Sequence, residues 1–338
     1  MEILRADSLE KNQKESFYNW INSDFAGEME YMKKETEKRI DLLKKFPDAK
    51  TIIVLGMNYF NENRELRAEN RELKGKIAKY AYGRDYHKVI EGKLKKLKEF
   101  ILKNCELPTA NCKLYVDYGP ILERAYAVKA GFGFIGRNTC LITKKFGSWV
   151  FLAELVTNIE LKTHPCPSLK REGFRVSCSS CTQCLSACPT GALISPYKLD
   201  ARKCISYLTI ENKGSIPENL RPLVGDWLYG CDICQDVCPH NTRAKATKEP
   251  DLKKKILGDT QLLKDILSIR TDEEFRQKFA GSPVIRIKRK GLLRNACVVA
   301  GNLKDRSLLP VLEECLKDPE PLIREHAKWG IRKINNEK

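Results

Sequence analysis

Cys178-Ser179-Ser180-Cys181-Thr182-Gln183-Cys184-Leu185-Ser186-Ala187-Cys188-Pro189 decides how the middle of this chain folds. Its spacing, Cys-x2-Cys-x2-Cys-x3-Cys-Pro, is the run in which three close thiolates wrap one [4Fe-4S] cubane and the fourth reaches a second cluster. A second run, Cys231-x2-Cys234-x3-Cys238-Pro239, has no third close cysteine, and Cys204 upstream supplies it if its loop folds back. The spacing thus assigns Cys178, Cys181, Cys184 and Cys238 to one cluster, and Cys188, Cys204, Cys231 and Cys234 to the other. Structural zinc sites also use CxxC pairs, but they do not call for an x3-Cys-Pro ending in both halves.

Outside these runs the remaining cysteines, Cys105, Cys112, Cys140, Cys166, Cys297 and Cys315, are scattered and read as small apolar side chains. Fourteen cysteines in a chain without an export signature argue against a disulfide scaffold and for metal or catalysis. The first residues have no long apolar core and no stretch is apolar enough to span a membrane, so the chain is expected in the cytoplasm. A formal charge of +17 fits a polyanionic partner, or simply a solvated Lys- and Glu-rich surface.

At 338 residues more than one domain is expected. Before the cysteines, Thr51–Leu55, Lys113–Val116 and Trp149–Val156 read as strands, separated by charged helical stretches such as Lys88–Lys103. From His164 to about Arg243 the composition turns to Cys, Pro and Gly, as in a small domain held by something other than its core. Beyond a Lys-rich linker near Ala244–Lys255, two weakly similar helical segments at Leu292–Ala296 and Leu322–Ala327 suggest an appended HEAT-like lobe. The expected architecture is therefore an α/β (α+β) domain over 1–164, a ferredoxin-like two-cluster module over 165–245 and a helical lobe over 246–338.

Two clusters in one module form a wire, which requires a redox terminus. Asp117 ends a strand and precedes a helix expected to open at Pro120 and end at Gly131, so it is either a cap or turn residue or a general acid. Gly131-Phe132-Gly133-Phe134-Ile135-Gly136 matches the dinucleotide fingerprint, but it follows a helix instead of a strand, so a nucleotide site is rejected. These glycines are expected to let the backbone pass close to a large flat ligand or a packed aromatic ring.

Taken together, Tyr82–His87, Val116-Asp117-x2-Pro120-x2-Glu123-Arg124, Gly136-Arg137-Asn138, Gly147-Ser148, the cysteine runs, Asp200–Thr209 and Tyr229–Asp232 resemble the epoxyqueuosine reductase family over nearly the whole chain. The chain departs from that pattern at Asp226-Trp227 and at His240. The resemblance implies a cobalamin-dependent oxidoreductase of queuosine synthesis that reduces the epoxide of epoxyqueuosine at the wobble position of tRNA. It implies a cobalamin site in the N-terminal domain, electrons arriving from an external low-potential donor through both [4Fe-4S] clusters, and Asp117 as proton donor. It also implies corrin contacts at Arg39, Asp117, Leu141, Leu152 and Ser206, a tRNA anticodon loop as partner, no membrane association, and a monomer. The basic run Arg286, Lys288, Arg289, Lys290 and Arg294 then reads as a phosphate-binding face of the lobe. Two rival readings are a reductive dehalogenase, which pairs the same cofactors, and a non-enzymatic electron carrier.

Overall fold

The computed structural model describes residues 1–61, 73–162, 177–253 and 256–336; Cys166 and the expected 164/165 boundary lie outside them. The N-terminal part is built on a four-stranded sheet of β1 (Glu2–Arg5), β2 (Thr51–Asn58), β3 (Cys112–Tyr115) and β4 (Val150–Thr157), in the order β1-β2-β4-β3 with every neighbour antiparallel. β4 is central because both its neighbours are apolar and it is buried on both faces. Leu152, Glu154 and Val156 point to one side and Phe151, Ala153 and Leu155 to the other.

Helix α1 (Tyr86–Lys103), capped by Asp85, packs against one face through Tyr86, Val89, Ile90 and Leu94. The other face is covered by α2 (Glu123–Lys129), whose Tyr126 and Ala127 join Ile52, Val54 and Leu152 in one core. α2 starts at Glu123, three residues later than expected, because the chain spends Asp117–Leu122 on a turn in which Asp117 (φ 54°) and Gly119 (φ 108°) adopt left-handed conformations. The helix is followed by Gly131 at φ 75°, as a left-handed helix stop requires.

The glycine fingerprint forms a tight hairpin, Gly133–Ile135 pairing with Leu141–Thr143. A Cβ at Gly133 would run into the Ile142 carbonyl, so at this glycine the close approach is to the neighbouring strand and not to an aromatic ring.

The cysteine module has only short helices, α3 (Gln183–Ala187), α4 (Ile205–Ile210) and α5 (Ile233–Asp236). Beyond it, α6 (Lys288–Leu303), α7 (Leu309–Cys315) and α8 (Pro321–Asn335) form the helical lobe, with α6 and α8 crossing where Gly301 meets Gly330. A Cβ on Gly330 would stand 2.8 Å from the Cys297 carbonyl, so only glycine permits this approach. The parts are sewn together: Lys74–Ile77 pairs with Trp227–Tyr229 and with Thr260–Leu262, one strand from each segment. Among the described residues no helix is long and apolar enough to cross a membrane.

Candidate active site and cysteine centres

Cys178, Cys181, Cys184 and Cys238 line one cavity of about 610 Å3 that opens between Arg137, Lys144, His240 and Arg243. α3 and α5 bring the two runs side by side, so that Cys238 of the second run faces the three close cysteines of the first. Cys188, Cys204, Cys231 and Cys234 gather as a second set, each near enough to another to affect its ionisation. Burial pushes the Cys184 thiol up to about 11 and raises Cys204 and Cys231 as well, with neighbouring thiols adding to it. Bound iron reverses that logic, because its positive charge dominates so small a site and keeps thiolates ionised. Among the described residues no three Cys, His, Asp or Glu side chains close on a single ion. Four thiolates spread round a roomy cavity are the donor set and the space that a cubane needs.

Cys140, read as an ordinary apolar residue, lies close enough to Cys234 for each thiol to shift the ionisation of the other. Cys297 and Cys315 are buried in the lobe, where the Cys315 thiol donates to the Leu267 carbonyl (3.5 Å), while Cys112 is buried and Cys105 half-buried in the N-terminal domain.

The N-terminal domain forms one wall of both cysteine sets. The Arg137 amide N–H donates to Cys178 Sγ (3.4 Å) and Asn138 Nδ2 donates to the Cys234 carbonyl (3.3 Å). Ser148 Oγ donates to Gln235 Oε1 at 2.9 Å, and the Ser148 amide N–H donates to Asn241 Oδ1 at 2.7 Å. His240, at the position of the family departure, stands edge-on to Phe134 at 5.3 Å, which makes it part of the cavity wall.

Asp117 occupies an exposed corner after β3 and caps no helix, since α2 begins six residues later without a side-chain cap. Its amide N–H donates to Glu123 Oε1 at 2.8 Å, and its Oδ2 accepts from the Tyr86 hydroxyl. Tyr86 is stacked on Phe151 at 4.0 Å and 6°; burial and the Asp117 charge push its hydroxyl well above the ordinary range, so it remains a donor. Behind it, Asp85 and His87 contact Arg286 of the lobe, at 3.3 Å to Asp85 Oδ2.

Of the expected corrin contacts, the structure joins two. Arg39 donates from Nη1 to the Gly119 carbonyl (3.0 Å) on the Asp117 turn and from Nη2 to the Tyr31 carbonyl (2.7 Å), while its buried Nε has no partner. Leu141 and Leu152 pack together in the core under α2, and Ser206 lies half-buried on α4 in the cysteine module.

Sequence reading missed Glu154, a carboxyl fully buried in the centre of the sheet, with no donor to either oxygen among the described residues. The signal was a lone Glu in the otherwise apolar run Val150–Val156. The basic run also needs correction. Arg289 is buried in an ion pair with Asp318, and Arg294 is buried with its guanidinium on the Leu208, Asn212 and Gly214 carbonyls. Lys288 and Lys290 are exposed, and Arg286, though exposed, is engaged by Asp85 and His87.

The model for the 4Fe-4S double cluster binding domain matches residues 177–241, and that for epoxyqueuosine reductase QueG, DUF1730, matches residues 39–118. The chain is 39% identical to the epoxyqueuosine reductase of Pseudomonas aeruginosa, over 93% of this chain and 85% of that one. It is 38% identical to that of Bacillus subtilis, over 89% and 76%. A crystal structure of epoxyqueuosine reductase with an epoxyqueuosine-modified tRNA-Tyr stem loop superposes with a TM-score of 0.88 at 34% identity, over 99% of this chain and 86% of that one. A Bacillus subtilis structure in which an aspartate-bearing catalytic loop is swung out of the active site superposes at 0.86, with 34% identity over 98% and 86%.

Proposed function

Because this chain belongs to the epoxyqueuosine reductase family of oxidoreductases, we propose that it reduces the epoxide of epoxyqueuosine to queuosine at the wobble position of tRNA. The observation that carries the reading is the direct fit of the N-terminal domain to both cysteine sets, through Arg137, Asn138 and Ser148. An electron leaving either cluster thus meets the domain that holds Asp117, and a carrier that only docks a partner has no need of that coupling.

In this reading the N-terminal domain, 1–164, binds cobalamin; the module, 165–245, holds two [4Fe-4S] clusters; and the lobe, 246–338, binds tRNA. Cys178, Cys181, Cys184 and Cys238 hold one cluster, and Cys188, Cys204, Cys231 and Cys234 the other. The first set opens towards solvent and suits the entry of electrons from an external low-potential donor. Cobalamin, when bound, supplies the reducing centre for the epoxide. Arg39 fits its polar side chains, since Nε is an orphaned buried donor beside the Asp117 turn. Ser206 and the backbone around Leu141 and Leu152 complete the proposed contacts. The chain is proposed to act as a monomer in the cytoplasm.

Asp117 has the position of a proton donor. Its Oδ2 is fixed by Tyr86 and its backbone by Glu123, on an exposed corner of the domain. A tRNA loop and cofactor bound beside that corner would supply the dry surroundings a neutral carboxyl needs. Epoxide opening leaves an alkoxide, and a positioned acid that protonates it contributes about 10²–10⁴-fold.

The test is anaerobic reconstitution with iron, sulfide and cobalamin, followed by mass analysis of nucleosides from tRNA incubated with protein and reductant. Queuosine should form from epoxyqueuosine, and Asp117→Asn should lower conversion by about 10²–10⁴-fold while iron and corrin contents stay at wild-type values. No conversion by the reconstituted wild type would end the reading, and conversion by Asp117→Asn at the wild-type rate would remove the acid role.

A further inference from the structure

Glu154 sits where an apolar side chain is the ordinary choice. It is on the central strand β4 between Leu152 and Val156, faces the core under α2, and is completely buried. In register it lies between Val54 of β2 and Tyr115 of β3, which offer its carboxyl no donor. The polar group it does reach is another carboxyl, that of Glu123 at the first turn of α2.

Two adjoining carboxylates, of which Glu154 is fully buried, repel, whereas an acid facing a carboxylate is a satisfied pair. Burial together with the partner carboxyl holds Glu154 well above the ordinary carboxylate range; burial first, and then the Asp117 charge, brings Glu123 up to about 8. Both shifts run in the direction of a proton held between the two carboxyls. Arg124 lowers Glu123 in opposition, and Arg39 acts on it across the turn, but no cationic side chain offsets the burial of Glu154.

We propose that Glu154 is a buried carboxylic acid that donates its proton to Glu123, and that Glu123 thereby clasps the Asp117 amide and locks the proton-donor turn in place. The donors and acceptors balance: Glu154 O–H goes to one oxygen of Glu123, and Asp117 N–H goes to the other, Oε1, at 2.8 Å. The clasp has a mechanical reason, because Asp117 is held at φ 54°, a conformation that a non-glycine residue keeps only when its surroundings enforce it. Tyr86 fixes the side chain and Glu123 the backbone, so that neither bond alone sets the carboxyl's direction. In this scheme Glu123 and Glu154 are positioning residues. The inference rests on the proposed reaction only where turnover is measured.

Three variants decide it. Glu123→Ala removes the acceptor, and turnover should fall about 100-fold, the scale expected when a reacting group is misplaced by an ångström, with the KM for tRNA little changed. Glu123→Gln keeps an oxygen for the Asp117 amide and should recover turnover to within about tenfold of wild type. Two readouts are independent of turnover. Infrared difference spectra at neutral pH should show a protonated carboxyl band, shifted in D2O, that Glu154→Gln removes. Hydrogen exchange of the peptide spanning Asp117, read by mass spectrometry, should be slow in wild type and Glu123→Gln and fast in Glu123→Ala. A wild type without that band, or an Asp117 amide as slow in Glu123→Ala as in wild type, overturns the clasp. Should wild type fail to convert the tRNA, the functional reading falls, and the band and the exchange still decide the clasp.

Discussion

The cysteine module and the helical lobe lie against each other, yet they are held together by different physics. The module's helices span five, six and four residues, too short to be stable by themselves, and its eight cysteines are buried or half-buried beside a small apolar cluster. The lobe's α6 is 16 residues long and buried on all sides from Gly291 to Gly301. Where the two meet, the lobe joins the module's apolar cluster and supplies donors to its carbonyls. Arg294 and Asn295 take up the Leu208 and Thr209 carbonyls at the end of α4, and Asn302 takes up those of Arg221 and Gly225. Those are the orphaned acceptors of short helices and turns, which would otherwise be buried without partners. The module therefore has its cysteine sets at one face and the lobe at the other, where Val298 and Trp329 join its apolar cluster, while the lobe rests on an apolar core that Ile77, Leu228 and Tyr229 extend into the neighbouring parts.

Withholding iron puts this contrast under the greatest strain. In chain prepared without iron and sulfide, amides of the two cysteine loops, around Cys178–Cys188 and Cys231–Cys238, should lose their exchange protection, while those of α6 and α8 keep it. The Leu208–Ile210 end of α4 should be intermediate, because Arg294 and Asn295 still hold it. Equal protection of the loops with and without iron would mean that the module is held by packing after all.

A smaller effect probes the lobe. Arg289 and Asp318 form a buried pair, each residue 5% exposed. Arg289→Ala should destabilise the lobe by about 3–5 kcal/mol by stranding the Asp318 charge. Replacing both, Arg289→Met with Asp318→Leu, should restore stability to within about 1 kcal/mol, as buried pairs exchanged for apolar ones of similar volume often do. Urea unfolding measures both, and an Arg289→Ala chain as stable as wild type would show the pair to be relaxed by solvent.

The same contrast explains what could be read in the sequence. The cysteine groups were legible because ligand spacing is local and chemical, and the strands at Thr51, Cys112 and Val150 because they are apolar runs in a sheet covered on both faces. Short strands such as Lys74–Ile77 carry no such signal; two of its four residues are lysines, and its partners come from distant segments. The arginines of α6 were misread for a discernible reason. Leu292, Leu293, Ala296, Cys297, Val298, Val299 and Ala300 cover every side of that helix, so any arginine among them had to be buried. Asp117 could be singled out, but its support by Tyr86 and Glu123 joins residues from α1, the turn and α2, which only the fold brings together.

Removing the buried arginines from the proposed phosphate face leaves Lys288 and Lys290, and this gives the mildest test. Both are exposed at the start of α6, so changing them should leave stability within about 0.5 kcal/mol. Lys288→Glu with Lys290→Glu should weaken tRNA binding and reduce the slope of log affinity against log salt by about two, one for each phosphate that is no longer neutralised. Binding measured over a range of salt separates the two readings of the +17 charge. A changed slope places phosphates against these lysines, whereas an unchanged affinity and slope would show a solvated surface and return the lobe to its structural task of capping the module.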